Sequence, residues 1–216
     1  MLPRRTFAIG ISTSLLAGVA GCLDVITGDE PVEFEASPSR VAQSALDETG
    51  YELAGVDDVV IEREFEAAGE TRDVVVTNVQ AEYEKAIDMG PLGQQEGAVF
   101  TSLTTPQVSV LGREFNPVAD MTTEELAEMV QDQYDEIRNL DHHEDTEVTI
   151  HGETTTQSKF RAEATLAGDA VSLYLHISEA VAMGDDLVVT VGGYPELTPD
   201  EEENILRLME AVEPGD

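Results

Sequence analysis

The stretch that decides the fold is "TEVTIHGETTTQSKFRAEATLAGDAVSLYLHISEAVAMGDDLVVTVGGYP", Thr146 to Pro195. Residues that favour strands alternate along it and glycines punctuate it, so it reads as three or four strands joined by short turns. With Gly168 and Asp169 as the two loop residues of a hairpin, Leu166 opposes Val171, Ala164 opposes Leu173, Ala162 opposes Leu175 and Phe160 opposes Ile177. One face of that hairpin is wholly apolar. The other pairs Thr165 with Ser172, Glu163 with Tyr174 and Arg161 with His176.

That second face holds the one polar constellation the sequence offers. Arg161, Glu163, Tyr174 and His176 share a surface, with His151 on the preceding strand as a further neighbour. A guanidinium beside a carboxylate, a phenol and an imidazole suits an anionic or polar ligand. The same pattern also fits the solvated side of an antiparallel sheet, where opposite charges face each other across strands.

Outward from this core, Leu126, Met129, Val130, Gln133, Ile137 and Leu140 fall on one face of a helix over 123–140, opened by the capping-box pair Thr122 and Glu125. A closing helix is expected from Pro199 to about Val212, with Thr198 as N-cap and Ile205, Leu206, Met209 and Val212 inward. Upstream, Val41, Ala42, Ala45 and Leu46 mark a helix over 39–49 that stops at Gly50. Alternating residues from Val59 to Phe65, the turn "AAGETR" and the long strand "DVVVTNVQAEYEKAI" follow. A Gly- and Gln-rich loop, 89–97, leads to "AVFTSLTTPQVSVLGREFNP", a strand broken at Pro106. The segment "TTPQVSVLGREFNPV" reads either as a contact loop or as a connector covering a sheet edge. The expected fold is α+β, a single domain with an antiparallel sheet of about six strands flanked by helices.

The chain opens with "RRTFAIGISTSLLAGVAGC", Arg4 to Cys22. Its apolar run, Phe7 to Ala20, spans roughly 21 Å as a helix against a hydrocarbon core of roughly 30 Å, too short for comfortable crossing. A charged start, a short apolar centre and small residues before a defined point are the marks of an export signal. Arg4 and Arg5 fit the twin-arginine variety, with a general secretion signal as the alternative. "VAGC" ends in the chain's single cysteine and has the form of a lipobox, in which Cys22 receives a diacylglyceryl group. The alternative is a buried or free thiol. Two acyl chains suffice for stable anchoring. The organisation read from these signals is a lipoprotein signal peptide over 1–21, an acidic flexible linker over 22–38 and one domain over 39–216, held by Cys22 on the extracytoplasmic face of the cell membrane.

With 11 basic and 45 acidic residues the formal net charge is −34, and loss of a leader carrying Arg4 and Arg5 leaves −36. Self-repulsion of that size opposes compaction in dilute buffer, and molar salt, with a Debye length of about 3 Å, screens it. Only two lysines occur, Lys85 and Lys159, and there is no tryptophan. The composition is that of a halophilic surface over a modest core. Nothing basic clusters to meet phosphates, which argues against nucleic-acid binding.

"DHHED", Asp141 to Asp145, groups residue types that ligate metals, but adjacent histidines point to different sides and no HExxH or paired cysteines support them, so it reads as a polar loop. The acidic run Asp200 to Glu203 lacks the Asp-rich calcium loop with its central glycine. A nucleophile elbow, a P-loop and a dinucleotide fingerprint are absent from the sequence. No catalytic residue, metal ligand or cofactor is assigned.

The leader ending in Gly21 and Cys22, with "FEASPSRVAQSALDETGYE", "TTPQVSVLGREFNPVADMTTEEL" and "YPELTPDEEENILRLMEAVE", resembles an uncharacterised family of haloarchaeal lipoproteins described only as a domain of unknown function. The resemblance implies a haloarchaeal source and brings no activity with it. The order of elements also resembles the PsbP-like α/β/α sandwich, whose members are usually accessory or binding proteins. The function expected is a non-catalytic binding or accessory role toward a surface protein or small ligand. A solute- or metal-binding lipoprotein of a transport system is the alternative, and a hydrolase ranks below both.

Overall fold

The computed structural model describes residues 31–67, 70–88, 93–110, 113–114, 116–133, 137–166 and 169–215. Arg4, Arg5 and Cys22 lie outside them. In chain order the elements are β1 (Val32–Glu35), β2 (Ser39–Val41), α1 (Gln43–Thr49), β3 (Glu52–Ala67), β4 (Glu70–Asp88), β5 (Gln94–Pro106), β6 (Ser109–Val110), β7 (Arg113–Glu114), α2 (Thr123–Gln133), β8 (Arg138–Ile150), β9 (Glu153–Leu166), β10 (Asp169–Ser178), β11 (Val181–Met183), β12 (Asp186–Pro195), α3 (Glu201–Glu210) and β13 (Val212–Pro214).

The architecture corrects the expectation of an antiparallel sheet of about six strands in an α/β/α sandwich. Strand dominates, and one mixed sheet of nine strands runs β1-β4-β5-β12-β10-β9-β8, with β3 paired to β4 and β11 to β12. β1 joins β4 in parallel, Val32 opposite Val74, and the remaining pairings of this sheet are antiparallel. The excess of strand arises where the chain was read as linker, helix or loop. The "VEFE" alternation builds β1 inside the stretch assigned to the linker. Ser39–Val41 pair with β13, so the first helix starts only at Gln43. Gly50 does end that helix in the left-handed conformation, at φ 77°.

Two apolar clusters flank the sheet. Under α1 and α3 lie Tyr51, Tyr83, Phe100, Ile150, Tyr194, Ile205, Leu208 and Met209. On the other side Leu126 and Ala127 of α2 pack on Phe160, Ala162, Leu175, Ile177 and Val189. The capping box forms as expected. Thr122 N–H donates to Glu125 Oε2 at 3.0 Å, and Glu125 N–H to Thr122 Oγ1 at 3.3 Å. The helix spans Thr123–Gln133 rather than reaching Leu140; from Arg138 the chain is strand β8, with Asn139 at φ 54° and with Ile137 and Leu140 still packed on the α2 cluster. α3 begins at Glu201, not Pro199, since the Thr198 hydroxyl bonds back to Pro195 O at 2.9 Å instead of capping.

The β9–β10 hairpin keeps both expected faces but in another register. Asp169 opposes Leu166, Tyr174 opposes Arg161 and His176 opposes Lys159, a shift of two residues that puts 167–168 in the loop. A slip of two preserves which side each residue occupies. "DHHED" is not a loop; it lies within β8, across register shifts at Arg138/Asp141 and His142/Glu144. His151 and Gly152, at φ 49° and 81°, form the tight β8–β9 turn.

Candidate functional site

α3 covers part of the polar side of the β9–β10 hairpin, burying Lys159 and His176 and leaving Arg161 and Glu163 exposed. What permits this is β12, the next strand, where Gly192 opposes both His176 and Phe100. A Cβ on Gly192 would stand 2.4 Å from Ile205 Cγ2, so the missing side chain sets how closely the helix approaches the sheet. Met209, Leu208 and Ile205 then close over the aromatic residues, and the first turn of α3 lands on the polar residues of the hairpin.

The two lysines of the chain hold that first turn. Lys159 Nζ lies 2.7 Å from Glu202 Oε2, 3.7 Å from Glu144 Oε1 and 4.4 Å above the Tyr174 ring. Lys85 Nζ lies 2.7 Å from Glu201 Oε1 and 5.6 Å from the centre of the Tyr51 ring. Asn204 Nδ2 gives Glu201 a second donor at 3.0 Å. Acids at a helix N-terminus also meet its exposed N–H groups favourably. Burial, with the Glu201 charge next, holds the Tyr51 phenol protonated far above its ordinary range.

The four expected site residues divide into two sets. His176 is buried, with Nε2 3.1 Å from the Tyr194 hydroxyl and Nδ1 3.3 Å from Gln157 Oε1, and its ring stacks on Tyr194 at 5.5 Å. Burial pushes its pKa down to about 4, so the imidazole is neutral in ordinary buffer. Arg161 is exposed and pairs with Glu196 at 2.9 Å, while the Tyr174 hydroxyl donates to the other oxygen of that carboxylate at 3.2 Å. The bond from Arg161 holds the Glu196 carboxyl below its usual range. Glu163, exposed on the same side of β9 as Arg161, accepts from Asn139 Nδ2 at 2.6 Å. His151 sits in its turn, apart from all four. The residues that organise the site, Lys159, Gln157, Tyr194, Glu196 and Glu202, were not among those expected. A signal for one existed: a lysine retained in so lysine-poor a chain, in phase with Arg161.

Gln157 leaves one loose end, because its Nε2 is buried with no hydrogen-bond partner among the described residues while its Oε1 accepts from Thr146 Oγ1 at 3.1 Å. The cations of the network and its imidazole bind groups of the protein, while the buried Tyr51 hydroxyl, like Gln157 Nε2, has no hydrogen-bond partner among the described residues.

A second cluster looks superficially catalytic. Ser158 Oγ donates to Asp145 Oδ1 at 2.6 Å, and His142 Nε2 meets the same oxygen at 2.6 Å. The carboxylate stands between hydroxyl and imidazole, whereas activation of a serine requires the imidazole on the hydroxyl. Ser158 is fully buried and its hydroxyl also meets Thr123 Oγ1 at 2.5 Å, so the cluster ties β8 and β9 to the start of α2. The Ser158 bond, then the His142 bond, keep Asp145 below the ordinary carboxylate range. The two histidines diverge as adjacent strand residues must, His142 edge-on to Phe160 and His143 beside Tyr174. Among the described residues no three metal-binding side chains converge, and no helix is long and apolar enough to cross a membrane.

No curated protein matches the chain. Among solved structures, it is similar to the protein of unknown function PA94 from Pseudomonas aeruginosa, at 10% identity and TM-score 0.35, over 72% of this chain and 98% of that one. It is also similar to LpqN of Mycobacterium tuberculosis, described as involved in cell envelope biogenesis, at 7% identity and TM-score 0.29, over 82% and 99% of the two chains. Likenesses this loose say nothing about activity. Residues 38–213 match the family model described as Domain of unknown function (DUF6517), and the chain belongs to that family.

Proposed function

We propose that this is a non-catalytic binding or accessory lipoprotein of a halophilic archaeon, exported through Arg4 and Arg5 and held at the extracytoplasmic membrane surface by a lipidated Cys22. The observation that carries the non-catalytic part is the closure of the polar site. Arg161 is taken by Glu196, Lys159 by Glu202, and His176 by Tyr194 and Gln157. A catalytic group needs a free face toward its substrate. Binding is assigned instead to surface segments, including the β6–β7 hairpin, which stands outside the nine-stranded sheet.

The test is recovery from membranes in molar salt, using the full chain and a Cys22→Ser form. Mass spectrometry is expected to find a diacylglyceryl group on residue 22 with the leader removed, and the Cys22→Ser form to leave the membrane fraction. A specific membrane protein recovered with the anchored chain supports the accessory role. Recovery of a small molecule alone would replace it with solute binding, and an unmodified Cys22 would remove the anchor.

A further inference from the structure

The two edges of the sheet are built differently. The β8 edge carries exposed charge and polarity from Asp141 to Glu147, the usual protection against edge-to-edge pairing. β3, which β4 alone pairs among the described residues, is 16 residues long and exposed at every position from Val56 to Glu64. Leu53, Val56, Val59, Val60 and Ile61 are all exposed there, Val60 by 55% and Val56 by 51%. The edge thus carries an exposed apolar trio, Val59 to Ile61, flanked by Asp57 and Asp58 on one side and Glu62, Arg63 and Glu64 on the other.

We propose that β3 pairs antiparallel with β3 of a second copy of this chain, about a two-fold axis through Val60. In such a pair a residue whose N–H and C=O point outward must face another of the same kind, so the axis passes through a residue. Placed at Val60, it sets Val60 against Val60, Val59 against Ile61 on both sides, and Arg63 against Asp57 on both sides. Moved to Val59 it opposes Asp57 to Ile61 and Asp58 to Val60, and moved to Ile61 it opposes Val60 to Glu62 and Val59 to Arg63. Only the Val60 register joins apolar to apolar and also gives a partner to Arg63, which makes no ion pair among the described residues. It also brings Asp58 against Glu62 twice. Salt screens these contacts and the Arg63–Asp57 pairs alike, but it also screens the repulsion between two chains of formal charge −34, so the dimer forms in brine and dissociates in dilute buffer. A strand seam buries less than the roughly 1,600 Å² of a standard interface, which makes the association weak.

The experiment is sedimentation of the full chain in detergent at about 0.2 M and about 3 M KCl, between which the Debye length falls from several ångströms to below about 3 Å. Dimer is expected at high salt. Val60→Glu, at an exposed site, should weaken it at least about tenfold while circular dichroism is unchanged. Asp58→Lys turns both repulsive contacts into attractive ones and should produce dimer at low salt. In a Cys22→Ser background, Val60→Cys should cross-link to itself under mild oxidation and Val56→Cys should not, since its copy lies eight residues away, about 26 Å along the seam. A wild-type chain monomeric in all salts, or equal cross-linking at both positions, overturns the proposal, including where β3 proves to hold a different protein. Neither readout depends on lipidation or on the accessory role.

Discussion

A neutral imidazole in the interior ties stability to pH in a definite direction. His176 titrates near 6.5 in an unfolded chain and at about 4 when buried beside Tyr194 and Gln157. Between those values the unfolded chain holds a proton that the folded chain does not. Its contribution is therefore complete above 6.5, falls as pH drops through the window, and is gone below about 4, a loss of order 3 kcal/mol. Denaturant titrations at fixed molar salt should show the unfolding free energy of His176→Gln declining less steeply over that range. Equal slopes would assign the acid sensitivity to carboxylates. Gly192 offers a second single-residue test. A methyl there meets Ile205 Cγ2 at 2.4 Å and Cδ1 at 2.8 Å, so Gly192→Ala should cost about 1–3 kcal/mol by overpacking. Combined with Ile205→Ala, the two costs should sum to less than their separate values; strict additivity would mean α3 shifts freely. These residues also mark where the sequence stopped being legible. Alternation alone put His176 and Arg161 on one side of the hairpin, but strand periodicity carries no information about what lies above the sheet. The cover comes from a helix more than twenty residues downstream, admitted by a glycine whose role depends on distance rather than pattern.

At the level of elements, α3 is fixed by two ion pairs of unequal exposure. Removing Lys85 strands Glu201, whose side chain is 8% exposed, whereas Glu202, the partner of Lys159, is 37% exposed and can regain water. Lys85→Met is expected to cost about 3–5 kcal/mol and Lys159→Met distinctly less, with Glu201→Gln recovering much of the Lys85→Met loss. Thermal or denaturant unfolding of the four variants measures this, and equal costs for the two lysines would show that burial of the partner is not what matters. The N-terminus of α2 is a smaller lever. Thr122→Ala deletes an acceptor for the Glu125 N–H and should cost about 1 kcal/mol. The elements themselves were legible where one period ruled a segment, as in β4, α2 and the β9–β10 hairpin. They were lost where two structures share one apolar pattern. Ile137 and Leu140 extend the stripe of α2 in sequence, and they do reach the α2 cluster, but from outside the helix, Leu140 within strand β8 and Ile137 just before it. Hairpin register failed for a related reason. A slip of two leaves both faces intact, so the choice between loops at 167–168 and 168–169 rested on turn chemistry alone.

On the scale of the whole molecule, a mostly β domain must close a nine-stranded sheet against a formal charge of −34. The lysines explain part of how it does so, since the chain's two are spent inside on the first turn of α3, while several surface acids such as Glu33, Asp57 and Glu62 have no ion partner among the described residues. Repulsion among such groups acts through solvent and is set by ionic strength. The Debye length falls from about 10 Å at 0.1 M to about 3 Å at 1 M, and little screening is left to gain beyond that. Surface exclusion of salt instead strengthens apolar burial without such a plateau. The melting temperature should therefore climb steeply with KCl up to about 1 M and flatten above it, while sucrose, which is excluded but does not screen, should give a much smaller rise. The increase should persist in Val60→Glu, which separates stabilisation of the folded chain from pairing of copies through β3. A melting curve indifferent to KCl below 1 M, or one that sucrose reproduces, would mean that the acidic surface does not limit stability.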